Sequence, residues 1–146
     1  ALSSAASDVY KRQVMEKIIV QIGWCDNYCA ASDEILGCVA CSDTIEGIKK
    51  EYRSALDFHI KGMLEDGDEL PEKLKNEYEL VFELDTSAML HSLDGIVTRK
   101  AIAKVTGINE ALLTHYANGF RKPRPVQRQR IIDGIHQIGR ELTLIG

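Results

Sequence analysis

A chain of 146 residues, 45% hydrophobic and 27% charged, can bury the core of one ordinary domain or of two small ones. No apolar run approaches the length needed to cross a membrane, and the start carries no apolar signal-peptide core, so a cytoplasmic protein without a membrane partner is expected. The net charge of −4 hides an asymmetry: from Ile96 to Gly146 there are nine Lys/Arg against three Asp/Glu, a surplus of +6, which leaves −10 for the remainder. A basic back suits a phosphate backbone, and an acidic front suits a basic protein or an ordinary solvated surface.

Residues 1–14 stand apart. Ser3 to Gln13, SSAASDVYKRQ, resembles the in-frame translation of a sequencing-library transposon adapter over the whole undecapeptide. The stretch is treated as an assembly scar or a disordered arm, with Met15 as the expected start. Lys17 to Gly23 alternates Ile18, Val20 and Ile22 on one face, the pattern of a half-buried strand. Trp24 to Asn27 can turn the chain into a second strand, Tyr28 to Ser32. A loop over Asp33 to Gly37 and a third strand, Cys38 to Cys41, complete a small antiparallel meander. The four cysteines follow C-x3-C-x8-C-x2-C, in which only Cys38-x-x-Cys41 matches a zinc half-site. No histidine lies in this segment, so reduced thiols are expected and no metal site.

Asp43 reads as a helix cap, with Glu46 three residues on. Ile45, Ile48, Tyr52, Leu56, His59 and Met63 then recur at helical spacing and should lie on the sheet. His59 reads as a packed or half-buried imidazole, and Gly67 as the stop. Asp66 to Glu77 is an acidic loop with room for one helical turn. Tyr78 to Leu84 alternates as a fourth strand, and the order β-β-β-α-β closes the first domain, residues 15–85, near Asp85. Its acids, among them Asp26, Asp33, Glu34, Asp43, Glu79 and Glu83, form no recognisable catalytic motif. No phosphate-cradling Gly-rich loop and no nucleophile–base signature accompany them. The expectation is a protein that is not an enzyme, with no cofactor.

The second domain, residues 86–146, reads as all-helical. Thr86 can cap a short helix carrying Met89, Leu90 and Leu93, which Asp94-Gly95 ends. Thr98 to Pro125 then reads as two short helices around a Gly107 turn, with apolar or small residues at Ile102, Ala103, Ile108, Leu113 and Tyr116. The second of these, about Asn109 to Asn118, should present Asn109, Glu110, Ala111, Thr114 and His115 outward. Gly119 suits its C′ position, and Pro123 opposes continuation. Val126 to Gly139 is helical again, with Ile131, Ile132, Ile135 and Ile138 as its stripe. Glu141 to Ile145 reads as a short strand or tail, pairing across a dimer or folding back. Helix–Gly–helix alone fits an ordinary helical hairpin, and each single charge fits a solvated side chain, most of all Arg128 and Arg130.

Two resemblances sharpen this. From Thr86 to Gly139, the helix–Gly–helix pattern, the Tyr-x-Asn-Gly ending and the Arg121-Lys122-Pro123-Arg124 loop resemble the Cro/repressor-type helix-turn-helix family. The front strands, Leu36-Gly37-Cys38-Val39, Asp43-Thr44 and Glu65-Asp66-Gly67 with Leu70-Pro71-Glu72 resemble the HicB family of antitoxins. Departures are Asp33 to Leu36, without the prolines often found there, and Ser42, where Gly is common. The resemblance implies an α+β chain: a β-β-β-α-β, degraded RNase H-like HicB domain followed by an all-α helix-turn-helix domain. It implies a type II antitoxin that binds a HicA-like toxin, a small basic RNA-cleaving protein, and represses its own operon on operator DNA as a dimer or higher oligomer. By the same resemblance, Asn109, Glu110, Thr114 and His115 are base-reading candidates. Arg99 and Lys100 would open the preceding helix near a phosphate, while Asn118, Arg121, Lys122 and Arg124 would hold the backbone. The competing readings are a stand-alone transcription regulator, whose front domain only dimerises or senses a ligand, and an RNA-processing enzyme.

Overall fold

The computed structural model describes residues 15–146; the adapter-like stretch lies outside the described residues. Among these, the chain is α+β: β1 (Glu16–Trp24), β2 (Tyr28–Ser32), β3 (Ile35–Ser42), α1 (Ile45–Glu65), a 3-10 turn (Glu72–Leu74), β4 (Tyr78–Leu84), α2 (Thr86–Ser92), α3 (Arg99–Thr106), α4 (Glu110–Ala117) and α5 (Pro125–Thr143). No helix among the described residues is long and apolar enough to cross a membrane. The described residues fold as two compact units, one comprising 15–21 with 30–83, the other 22–29 with 84–146.

The sheet has the order β3-β2-β1-β4. Connections as short as residues 25–27 and 33–34 require antiparallel neighbours, whereas α1 carries the chain back so that β4 lands beyond β1, making the sheet mixed. Ile18, Val20 and Ile22 are fully buried, as their alternation requires. β3 starts three residues before the expected Cys38. Ile35 is buried at its head, and Gly37 continues the strand at φ +85, a conformation closed to most side chains.

The turn into β3 is held by polar contacts. Ser32 Oγ donates to the Ile19 carbonyl at 2.6 Å and accepts the Glu34 N–H at 3.2 Å. Glu34 accepts the Ile19 N–H at 2.9 Å and pairs with Lys73, whose ammonium also donates to the Lys17 carbonyl at 2.9 Å. The Lys73 hydrogen bond, then the Ile19 N–H, holds the Glu34 carboxyl below its ordinary range. The ionised form is the bonded one. Its contribution is therefore complete above the ordinary carboxylate pKa and is lost as pH falls through the lowered folded value. In acid titrations of stability, Glu34→Gln should be slightly less stable than the parent at neutral pH, and the two should converge in acid. The pair is exposed, so the gap should be small and should shrink in salt. A gap that is constant with pH would rule out this linkage.

Helix α1 buries Ile48, Tyr52 and Leu56 and packs on β3. Its cap is Thr44, whose hydroxyl accepts the Gly47 N–H at 2.9 Å, and not Asp43 as the sequence suggested. The helix thus starts one residue later, which takes Glu46 out of the capping-box position. His59 is half-buried near Gly37. Cys25 and Cys38 are free, but Cys29 and Cys41 are disulfide-bonded, so four reduced thiols are not what the fold contains. Spacing along the chain does not reveal which thiols folding brings together.

The second unit closes on Leu90, Ile102, Ile108, Leu113, Tyr116, Ala117 and Ile131, all buried. A boundary drawn in sequence near Asp85 leaves out the contribution of residues 22–29. The Asp85 N–H bonds the Ile22 carbonyl at 2.8 Å, and the Trp24 N–H bonds Ser87 Oγ at 3.1 Å. The Trp24 indole also stacks on the His91 imidazole with centroids 4.0 Å apart. The cap of α2 is Asp85, which accepts the Ala88 N–H at 2.8 Å, rather than Thr86. Thr86 is buried, and its hydroxyl accepts from the Arg128 guanidinium at 2.9 Å.

Helix α5 begins at Pro125 in its first turn and runs to Thr143, four residues past the expected Gly139. The closing Glu141 to Thr143 is helical and not a strand. Gln137 bonds Glu141 one turn on, and Thr143 Oγ1 bonds the Arg140 carbonyl at 2.7 Å.

Candidate functional site

Helices α3 and α4 are joined by three residues, each of which is fixed. Thr98 caps α3 by accepting the Ala101 N–H at 3.0 Å. At the other end, Thr106 Oγ1 donates to the Ile102 carbonyl at 2.7 Å and accepts the Ile108 N–H at 3.2 Å. Gly107 turns the chain at φ +74, and Asn109 caps α4 by accepting the Ala111 N–H at 2.8 Å. One buried threonine, the Gly107 turn and the Asn109 cap therefore set the angle between the helices.

With Leu113, Tyr116 and Ala117 turned into the core, the opposite face of α4 is open. Asn109, Glu110, Ala111, His115 and Asn118 are exposed, and Thr114 is half-buried. The helix ends in a Schellman arrangement: Phe120 N–H bonds the His115 carbonyl at 3.0 Å, and Gly119 N–H bonds that of Tyr116 at 3.2 Å. The Arg121 N–H, 3.4 Å from the same His115 carbonyl, ties the start of the basic loop to the helix. Arg121, Lys122 and Arg124 are all exposed. With Tyr116, Val126 and Gln127 they line an open cleft of about 570 Å³.

The opening of α3 is different. Lys100 is exposed, but Arg99 is half-buried. Its guanidinium lies 3.7 Å from Asp94 Oδ1, while Asp94 Oδ2 lies 3.2 Å from His91 Nδ1. Arg99 Nε is buried with no hydrogen-bond partner. Arg99 is thus held by a neighbouring carboxylate, and Lys100 is the open cation there. Arg128 also departs from expectation. It is not solvated; it bonds Thr86 and, at 2.8 Å, the Leu84 carbonyl. No local signal marks a basic residue on a helix as a structural clamp.

In the first unit, an open cavity of about 440 Å³ is lined by Met15, Arg53, Leu56, Asp57, Tyr78, Glu79 and Leu80. Among the described residues, no group of three His, Cys, Asp or Glu is arranged to hold a metal ion. Burial pushes the Cys38 thiol up, the opposite of what a nucleophilic thiol requires. Burial, followed by the neighbouring Cys38, also raises the Tyr52 phenol.

No protein-family model matches the chain. It is 27% identical over 108 residues to an uncharacterized 14.9 kDa protein in the rep-hol intergenic region of Haemophilus phage HP1 (strain HP1c1), covering 72% of this chain and 80% of that protein.

Proposed function

We propose that the chain is a DNA-binding antitoxin of HicB type, acting in the cytoplasm. Its second unit is read as a helix-turn-helix domain that, as a dimer or higher oligomer, occupies half-sites about one helical turn apart and represses its own operon. Its first unit is read as the degraded RNase H-like domain that covers a small basic RNA-cleaving toxin. The observation that carries the reading is the open face of α4, set by a rigid turn and flanked by exposed Arg121, Lys122 and Arg124. An exposed helix face enters the major groove, and cations beside it meet phosphates on the same side of the duplex. The strand–strand–strand–helix–strand path of the front half, together with its acidic balance, supports the toxin-covering role. Arg99 joins the phosphate contacts only after leaving Asp94, so Lys100 is the first contact at that end.

Co-expression with the product of the adjacent gene tests this. Rescue of growth, joint purification and a gel shift on the upstream DNA are the expected results. Specific DNA binding without a toxic neighbour would favour a stand-alone regulator. Metal-dependent nuclease activity, abolished by carboxylate substitutions, would favour an RNA-processing enzyme.

A further inference from the structure

Asn109 and Glu110 open the end of α4 that faces outward, yet they offer opposite chemistry. The Asn109 side-chain oxygen accepts the Ala111 N–H at 2.8 Å as the cap of the helix. One of that oxygen's two acceptor positions is thereby committed to the helix, and the capping bond holds the side chain against the backbone. The bidentate pairing of an asparagine with adenine needs both the oxygen and the nitrogen, so at Asn109 it competes with the cap for the orientation of the same amide. Glu110 is exposed, and its carboxylate is an acceptor only.

In the major groove, the donors are the cytosine N4 and adenine N6 amino groups. Adenine sets N7, an acceptor, beside N6, where it would oppose the second carboxylate oxygen. Cytosine sets only C5–H beside N4. Resting on the DNA-binding reading above, we infer that Glu110 selects the operator by accepting from a cytosine amino group, while Asn109 serves the helix and discriminates little. The same negative charge repels phosphates, so a duplex without the cytosine meets repulsion with no compensating bond.

The experiment is selection from a randomised duplex library with the full chain, Glu110→Gln and Asn109→Asp. Both positions are exposed, and aspartate can keep the cap. The full chain should recover a motif with a fixed cytosine in each half-site, preferred over other bases by about ten- to a hundredfold. Glu110→Gln, which has gained a donor beside its acceptor, should exchange that cytosine for adenine. Asn109→Asp should keep it. Retention of the cytosine by Glu110→Gln, or its loss in Asn109→Asp, overturns the assignment while DNA binding stands. Recovery of no motif by the parent chain removes the DNA-binding reading itself.

Discussion

Gly134→Leu should destabilise the second unit by about 3 kcal/mol, the upper part of the range for overpacking, while Gly139→Leu on the same helix should stabilise it by about 0.5–1 kcal/mol. Propensity alone gives both substitutions the same favourable sign, since glycine is a poor helix former in an interior position. Packing separates them. A Cβ at Gly134 would stand inside contact distance of Thr106 Cγ2 and 3.3 Å from Val105 Cγ2, whereas one at Gly139 would meet nothing within 4 Å. Thr106 cannot swing aside without cost, because its hydroxyl bonds Ile102 and Ile108 at the start of the turn. The strain at Gly134 therefore passes directly to the angle between α3 and α4. Urea denaturation of the two variants beside the parent is the check. A Gly134→Leu midpoint at or above that of the parent would mean that α5 does not pack on α3 as described.

Replacing Arg121 and Lys122 together by alanine should lower affinity for every duplex, by about 30-fold at ~0.15 M salt, and flatten the slope of log K against log salt by about 2. The size follows from counterion release at about 0.9 per phosphate contact, accumulated between ~0.15 M and ~1 M salt for two contacts. Both side chains are exposed and neither appears in an ion pair of the described residues, so removing them costs the fold little. Sequence preference should survive, since these groups meet phosphates and not base edges. Gel shifts on specific and random duplexes at several salt concentrations separate the outcomes. An unchanged salt slope would remove the loop from the interface.

Much of the helical half was legible because its signals are local. Thr98 before an apolar run, Gly107 and Gly119 at positive φ and the spacing of Ile102, Leu113 and Tyr116 fix two short helices without knowledge of anything distant. The open face of α4 follows from the same periodicity. Capping was misread twice for one reason. Asp43-Thr44 and Asp85-Thr86 each offer two adequate oxygens, and the sequence does not rank them. At the second pair, the Thr86 hydroxyl is engaged by Arg128, forty-two residues away, which leaves Asp85 to cap. At the first, β3 persists to Ser42, so the helix starts at Ile45 and Thr44 takes the cap.

Element order, the apolar periods of β1 and α1 and the separation of basic from acidic charge can be read from the chain alone, because these depend on neighbours within a turn or a strand. It takes packing to hold Arg99 at Asp94, to clamp Arg128 on Leu84 and Thr86, to gather residues 22–29 into the second unit and to leave Gly134 no room for a side chain. Each of these is a contact between residues brought together by packing. A side chain's charge or size says what it can do, and what folding places beside it decides whether it remains free to do so.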